Sequence, residues 1–165
     1  MNLNWERIVR EHGPMVYGTA WRILGHAADC EDVVQEVFLQ AHRTAQAEGV
    51  RYWPAFLRRL AAHRALDRLR QRKQAYSIDD FSLELPNGDP EGLAIERELA
   101  ERLRQAIAQL SDREAAVFSL RFFEELSYQD IAQALDISPG AVAQALHKAR
   151  TKLESLLVGV CDKQV

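Results

Sequence analysis

The sequence predicts an all-α protein: two small helical domains joined by an acidic linker, the C-terminal one carrying a helix-turn-helix. Three observations predict this. Apolar residues recur at helical spacing along almost the whole chain, with no sustained alternation of the strand kind. A stretch rich in proline, glycine and acids, SIDDFSLELPNGDPEG, interrupts that spacing midway. Near the C-terminus a short helical pattern, a turn and a longer helical pattern follow one another. The expected division is a first domain over 1–75, a linker over 76–93 and a second domain over 94–160.

Each helix has its own local reason. The first is expected over Trp5 to Leu24 and ends at Gly25. Asp29 is expected to cap a second, CEDVVQEVFLQAHRTA, in which Val33, Val37 and Ala41 share a stripe beside Val34 and Phe38. A third starts around Pro54 and runs to Gln74, with Phe56, Leu57, Leu60, Ala61 and Leu69 as its apolar face. After the linker one helix covers Leu93 to Leu110. The next opens at Ser111, where SDRE has the layout of a reciprocal serine–glutamate cap. SYQD repeats the device at Ser127, and that helix reaches only Leu135. Ser138 caps the last one, Pro139 takes the first helical position where its missing N–H costs nothing, and the helix continues to about Leu157. Ile131, Ala132 and Leu135 face inward on the short helix, Ile137 plugs the turn, and Val142, Leu146, Ala149 and Leu153 line the inner side of the long one.

Composition excludes several classes. No apolar run approaches the roughly 18 residues of a membrane span. The N-terminus has no charged-then-apolar signal layout, and two cysteines, Cys30 and Cys161, make no disulfide framework, so a reduced cytoplasmic protein is expected. His26 and Cys30 are too few for a zinc site, so no metal is expected. There is no Gly-rich phosphate loop, no H-E-x-x-H and no G-x-S-x-G, and the paired acids sit at helix starts, so no enzyme activity is expected.

Net charge is −3, but it is unevenly spread. Between Arg51 and Lys73 eight Lys/Arg stand against one acid, Asp67, whereas between Ser77 and Glu98 seven acids stand against one Arg. A polyanion meets the local field, not the total. On the third helix Arg58, Arg59, His63, Arg64, Arg68, Arg70, Arg72 and Lys73 form a basic flank, and Trp53 at its start suits stacking on an unpaired base. Asp29, Glu31, Asp32 and Glu36 form an acidic surface suited to a basic partner helix. On the last helix Lys148, Arg150 and Lys152 suit phosphates, Gln144 suits an adenine edge, and the methyl groups of Ala141 and Ala145 suit thymine. That is a sparse reading surface, of the kind usually tethered to a second binding element. A stand-alone helix-turn-helix regulator would account for the C-terminal half alone.

Together these residues resemble the extracytoplasmic-function (ECF) group of the sigma-70 family of RNA polymerase sigma factors, in the same order and over about Trp5 to Leu157. DCEDVVQEVFLQAHR is similar to the segment with which that family grips the polymerase clamp, which implies polymerase-binding roles for Asp29, Glu31, Asp32, Val33, Gln35, Glu36 and Phe38. WPAFLRRLAAHRALDRLRQRK resembles the helix that melts and holds the −10 element, implying DNA contacts from Trp53, Arg58, Arg59, His63, Arg64, Arg68 and Arg70. The stretch from Leu110 to Leu153 resembles the domain that binds the −35 element, implying roles for Ser138, Ala141, Gln144, Ala145, His147, Lys148, Arg150 and Lys152. Phe56 and His63 stand where the family commonly has tryptophan and asparagine, and GAVAQA replaces the usual glycine-threonine-valine-lysine-serine-arginine.

The resemblance implies a sigma factor that binds core RNA polymerase, recognises −10 and −35 elements and promotes melting. The implied partners are core polymerase, promoter DNA as duplex and as melted single strand, and an anti-sigma factor. No cofactor and no small-molecule substrate are implied, and the acidic linker is expected to thread a basic channel.

Overall fold

A computed structural model describes residues 4–75 and 90–161. Of the acids expected to carry the linker charge and its channel-threading role, Asp79, Asp80, Glu84 and Asp89 lie outside the described residues, while Glu91 falls within a helix. Among the described residues every element is helical: α1 (Trp5–Leu24), α2 (Ala27–Ala47), α3 (Trp53–Ala75), α4 (Pro90–Ile107), α5 (Asp112–Phe122), α6 (Tyr128–Leu135) and α7 (Pro139–Cys161). None is long and apolar enough to cross a membrane.

Most helix ends follow local chemistry. Ser111 and Glu114 form the reciprocal cap, with Glu114 N–H donating to Ser111 Oγ and Ser111 N–H to Glu114 Oε2. Ser127 Oγ accepts from Asp130 N–H, and Ser138 Oγ from Ala141 N–H. Asp136 ends α6 at φ 54°, a left-handed position that a short polar residue tolerates, and so turns the chain toward α7. Two starts differ from expectation. The cap of α2 is His26, whose ring accepts from Asp29 N–H, while Asp29 lies in the first turn and ion-pairs with Arg72. Helix α4 begins at Pro90, not Leu93, because proline is as well placed at a first helical position there as at Pro139.

One continuous apolar cluster runs through the molecule, and α3 is its centre. The stripe read from the sequence, including Leu57, Leu60 and Ala61, is buried as α3 packs on α1 and α2. Ala62, Ala65 and Leu66 are buried as well, because α3 also packs against α5 and α6 from the C-terminal half. Alanines at these positions let backbones approach closely. Arg58, Ala62, Leu66 and Arg70 recur at four-residue spacing and so share a side of the helix.

Gly25 joins α1 to α2 at φ 58°, with its N–H bonded to Trp21 O at 2.8 Å. A Cβ there would lie 2.6 Å from Arg104 Cζ of α4. Gly25→Ala therefore combines left-handed strain with displacement of a guanidinium. It is expected to cost about 1–2 kcal/mol, read as a lower midpoint in urea denaturation.

Candidate nucleic-acid interface

Three surfaces carry the residues singled out in the sequence. The first is the outer face of α2. Glu31, Asp32, Gln35 and Glu36 are exposed on it. Val33 and Phe38 are not: both are buried, at 0% and 7% exposure, and hold α2 to the core instead of facing a partner. Asp29 is also largely withdrawn, because Arg72 of α3 holds its carboxylate. Leu39, which sequence reasoning passed over, is 60% exposed and lies one turn beyond Gln35 and Glu36. Its signal was available: an apolar residue off the Val33–Val37–Ala41 stripe. The face is thus acidic with one projecting apolar side chain.

The second surface is α3. Arg68 bridges to Glu36 at 2.9 Å and Asp32 at 3.6 Å, and Arg64 donates twice to Gln40 Oε1, so these two cations brace α3 against α2. Glu36, Arg64, Asp67, Arg68, Arg70 and Gln71 line an open polar cleft. Arg59 is exposed. Arg58 and Arg70 are engaged by the C-terminal half: Arg58 Nε lies 4.0 Å from Glu124, while Arg70 pairs with Asp112 and donates to Leu110 O at 2.9 Å. Trp53 is half-buried, edge-on to Trp5 at 5.8 Å and to Phe56 at 6.2 Å, in a cluster that also takes in Phe38 and His42. Neighbouring Tyr52, outside the predicted set, is 54% exposed.

Burial, helped by Arg59, holds His63 below the ordinary imidazole value of 6.5 against the weaker pull of Asp67 and Asp112. His63 is thus biased toward the uncharged imidazole. Because its folded value lies below the unfolded one, the unfolded chain binds more protons in that window. The associated stability is present above about pH 6.5 and is lost as pH falls through the folded value. His63→Gln is expected to flatten this part of the acid-side decline in thermal midpoint, measured from about pH 7.5 to about pH 5.5.

The third surface is α7 and its turn. Val142, Leu146, Ala149 and Leu153 are buried as expected, and Ala132, 6% exposed, sits where α6 packs on α7. Gln144, His147, Lys148 and Lys152 are exposed and Ala141 partly so. Ala145 is a correction: at 5% exposure it packs inward, because the core covers more of the helix edge than the apolar stripe alone indicates. Arg150 is held 5.2 Å over the Phe122 ring on the α5 side, away from Gln144 and Lys148. Ser138 is exposed but its hydroxyl serves the cap. Thr151, not anticipated, joins the outer face one turn or two beyond His147 and Gln144, its hydroxyl bonded to His147 O.

Elsewhere, burial raises the pKa of the Cys30 thiol, which is free and enclosed. Among the described residues no three His, Cys, Asp or Glu side chains are grouped to hold a metal.

Residues 8–75 match the family described as Sigma-70 region 2, and residues 100–153 match Sigma-70, region 4. The chain is 28% identical over 162 residues to the ECF RNA polymerase sigma factor SigW of Bacillus subtilis, covering 91% of this chain and 87% of that protein. It is 31% identical over 160 residues to the RNA polymerase sigma factor CarQ of Myxococcus xanthus, covering 93% and 88%. It is 32% identical over 145 residues to the ECF RNA polymerase sigma factor SigL of Mycobacterium tuberculosis, covering 84% and 80%. The fold is shared with CnrH, solved in complex with the cytosolic domain of CnrY, at a TM-score of 0.59, 22% identity and coverage of 94% and 88%. It is also shared with RpoE of Bartonella quintana, solved with the anti-sigma factor NepR, at 0.56, 18% identity and coverage of 93% and 96%.

Proposed function

Because the chain belongs to the ECF subfamily of the sigma-70 RNA polymerase sigma factors, and so is an initiation factor that binds core polymerase and promoter DNA, we propose that its tasks fall on the three surfaces described above. The domain over 1–75 holds polymerase through α2 and the −10 strand through α3, and the domain over 94–160 reads the −35 element through α7. The observation that carries this reading is the outer face of α2, where Leu39 projects among Glu31, Asp32, Gln35 and Glu36. The exposed acids suit a basic partner helix, and Leu39 among them offers that helix an apolar contact.

On α3 the single strand is met by Arg59, Tyr52 and the edge of the Trp53 cluster, joined by Arg58 and Arg70 once these are released. Stacking and phosphate contacts together suffice there, and no side chain needs to act as a catalyst. The protein works in the cytoplasm beside polymerase, without a cofactor. An anti-sigma factor is a further partner, as the complex of RpoE with the anti-sigma factor NepR supports.

On α7 the face reduces to Gln144, Lys148 and Thr151, flanked by His147 and Lys152. Lys148→Ala is expected to weaken binding about equally on all upstream sequences and to reduce the salt slope by about one ion. Gln144→Ala is expected to change preference at one upstream base by about 1–2 kcal/mol. Both are measured by competition binding of a polymerase holoenzyme on a panel of upstream duplexes. An unaltered panel with Gln144→Ala means that this side chain reads no base.

The reading as a whole is tested by mixing the purified chain with bacterial core RNA polymerase and separating the complex by gel filtration. Co-migration supports it. Failure to co-migrate, with duplex binding retained, removes the assignment of α2.

A further inference from the structure

The side chains of a recognition helix that meet base edges come from its N-terminal turns. In α7 the first two turns, Pro139 to Leu146, hold no arginine or lysine. Ala145 is withdrawn into the core at 5% exposure, so the outer face of those turns comes down to the Ala141 methyl group and the Gln144 amide. Nearby polar groups are engaged or turned aside. The Ser138 hydroxyl accepts from Ala141 N–H at 3.1 Å, and the Thr151 hydroxyl donates to His147 O at 3.1 Å. Arg150 is drawn over the Phe122 ring on the α5 side of the helix. His147, Lys148 and Lys152 are exposed about one turn or more beyond Gln144, where the helix leaves the base edges and meets phosphates.

In the major groove guanine is read chiefly by a bidentate arginine or lysine, adenine by a bidentate amide, and thymine by apolar contact with its C5 methyl group. We propose that α7 selects an upstream element of adjacent A·T pairs and requires no guanine there. The Gln144 amide takes adenine N6 and N7, and the Ala141 methyl group packs on a thymine methyl. The inference rests on the assignment of α7 to the −35 element and names the bases that it takes. Ala141 and Gln144 are three residues apart and so neighbours on one helix face, with Cβ atoms about 5–6 Å apart. That separation serves successive pairs, which are stacked at roughly 3.4 Å. Lys148 and Lys152 then supply affinity that is blind to sequence. Arg150, the one arginine of α7, is held away from the groove by its aromatic contact and cannot supply the missing guanine fork.

The test uses holoenzyme formed from the full chain and bacterial core polymerase, with duplexes whose upstream segment is randomised. Bound duplexes are recovered and sequenced, and adjacent A·T pairs are expected to be enriched. In the enriched duplex, uracil in place of thymine removes the methyl group alone and is expected to weaken binding about fourfold. Replacing adenine by 7-deazaadenine removes N7 alone and is expected to weaken it about tenfold. Ala141→Gly is expected to abolish the uracil effect and Gln144→Ala the 7-deazaadenine effect, each leaving the other in place. Gln144→Lys is expected to move the preference to guanine. Tolerance of either analogue by wild type, dependence on guanine, or no enrichment at all overturns the proposal. The underlying assignment fails separately. An enriched segment unaltered in Gln144→Ala, with affinity unmoved by Lys148→Ala, means that α7 does not lie on upstream DNA. A guanine-dependent segment that is lost with Gln144→Ala keeps α7 on the DNA and rejects only the bases named here.

Discussion

Leu39→Asp combined with Asp32→Arg is expected to weaken binding to core RNA polymerase by about a hundredfold, the loss of one buried apolar anchor and one favourable charge at a helix–helix contact. Both side chains project from the same outer face of α2, and Leu39 is 60% exposed, so neither change removes a core contact. The two effects have different signatures. Reversing Asp32 changes the association rate and its salt dependence, and also frees Arg68 from one of its two acids. Placing a charge at Leu39 acts on dissociation, because a carboxylate buried at an apolar contact is left unpaired. Surface-immobilised core polymerase with each single variant separates the rates. If both singles bind as wild type does, the polymerase contact does not lie on this face of α2.

That face illustrates what was legible in the sequence and what was not. The motif ran together residues of two kinds, exposed Glu31, Asp32, Gln35 and Glu36 and buried Val33 and Phe38, and only the packing of α2 on α1 and α3 separates them. Signals that act within a turn were readable: the Ser111–Glu114 cap, the serines at 127 and 138, and Pro139. Signals between distant segments were not. Asp29 reads as a helix cap, yet Arg72, far along the chain, holds its carboxylate and leaves the cap to His26. The basic flank of α3 reads as a free surface, yet Arg64 and Arg68 brace it to α2 while Arg58 and Arg70 meet Glu124 and Asp112. Ala62 and Leu66 stand outside the apolar face expected for this helix, and are core because a second set of helices covers α3. A charge pattern states which side chains are available for partners, not which partners have taken them.

Leu146→Ala is expected to destabilise the C-terminal half by about 3 kcal/mol, the usual cost of a leucine removed from a packed interior. Leu146 is 1% exposed on the inner stripe of α7, which packs against α4, α5 and α6, and its loss leaves a cavity between helices that position Gln144 and Lys148. Upstream DNA binding therefore falls with the folded fraction of this half, while binding to polymerase through α2 persists. The three tryptophans, Trp5, Trp21 and Trp53, all lie in the N-terminal half and report its unfolding alone. Helical signal by circular dichroism is expected to show an earlier transition in urea, with the tryptophan midpoint nearly unmoved. The reason is the composition of the contact between the halves: Leu66 among alanines, the Glu124 carboxylate shared between Arg22 and an incompletely satisfied Arg58, and the Arg70–Asp112 pair with its exposed acid. That contact is expected to be weaker than the roughly 3 kcal/mol removed. If the fluorescence midpoint instead falls in step with circular dichroism, the halves unfold as one. The contact between α3 and the C-terminal helices is then worth at least the roughly 3 kcal/mol removed.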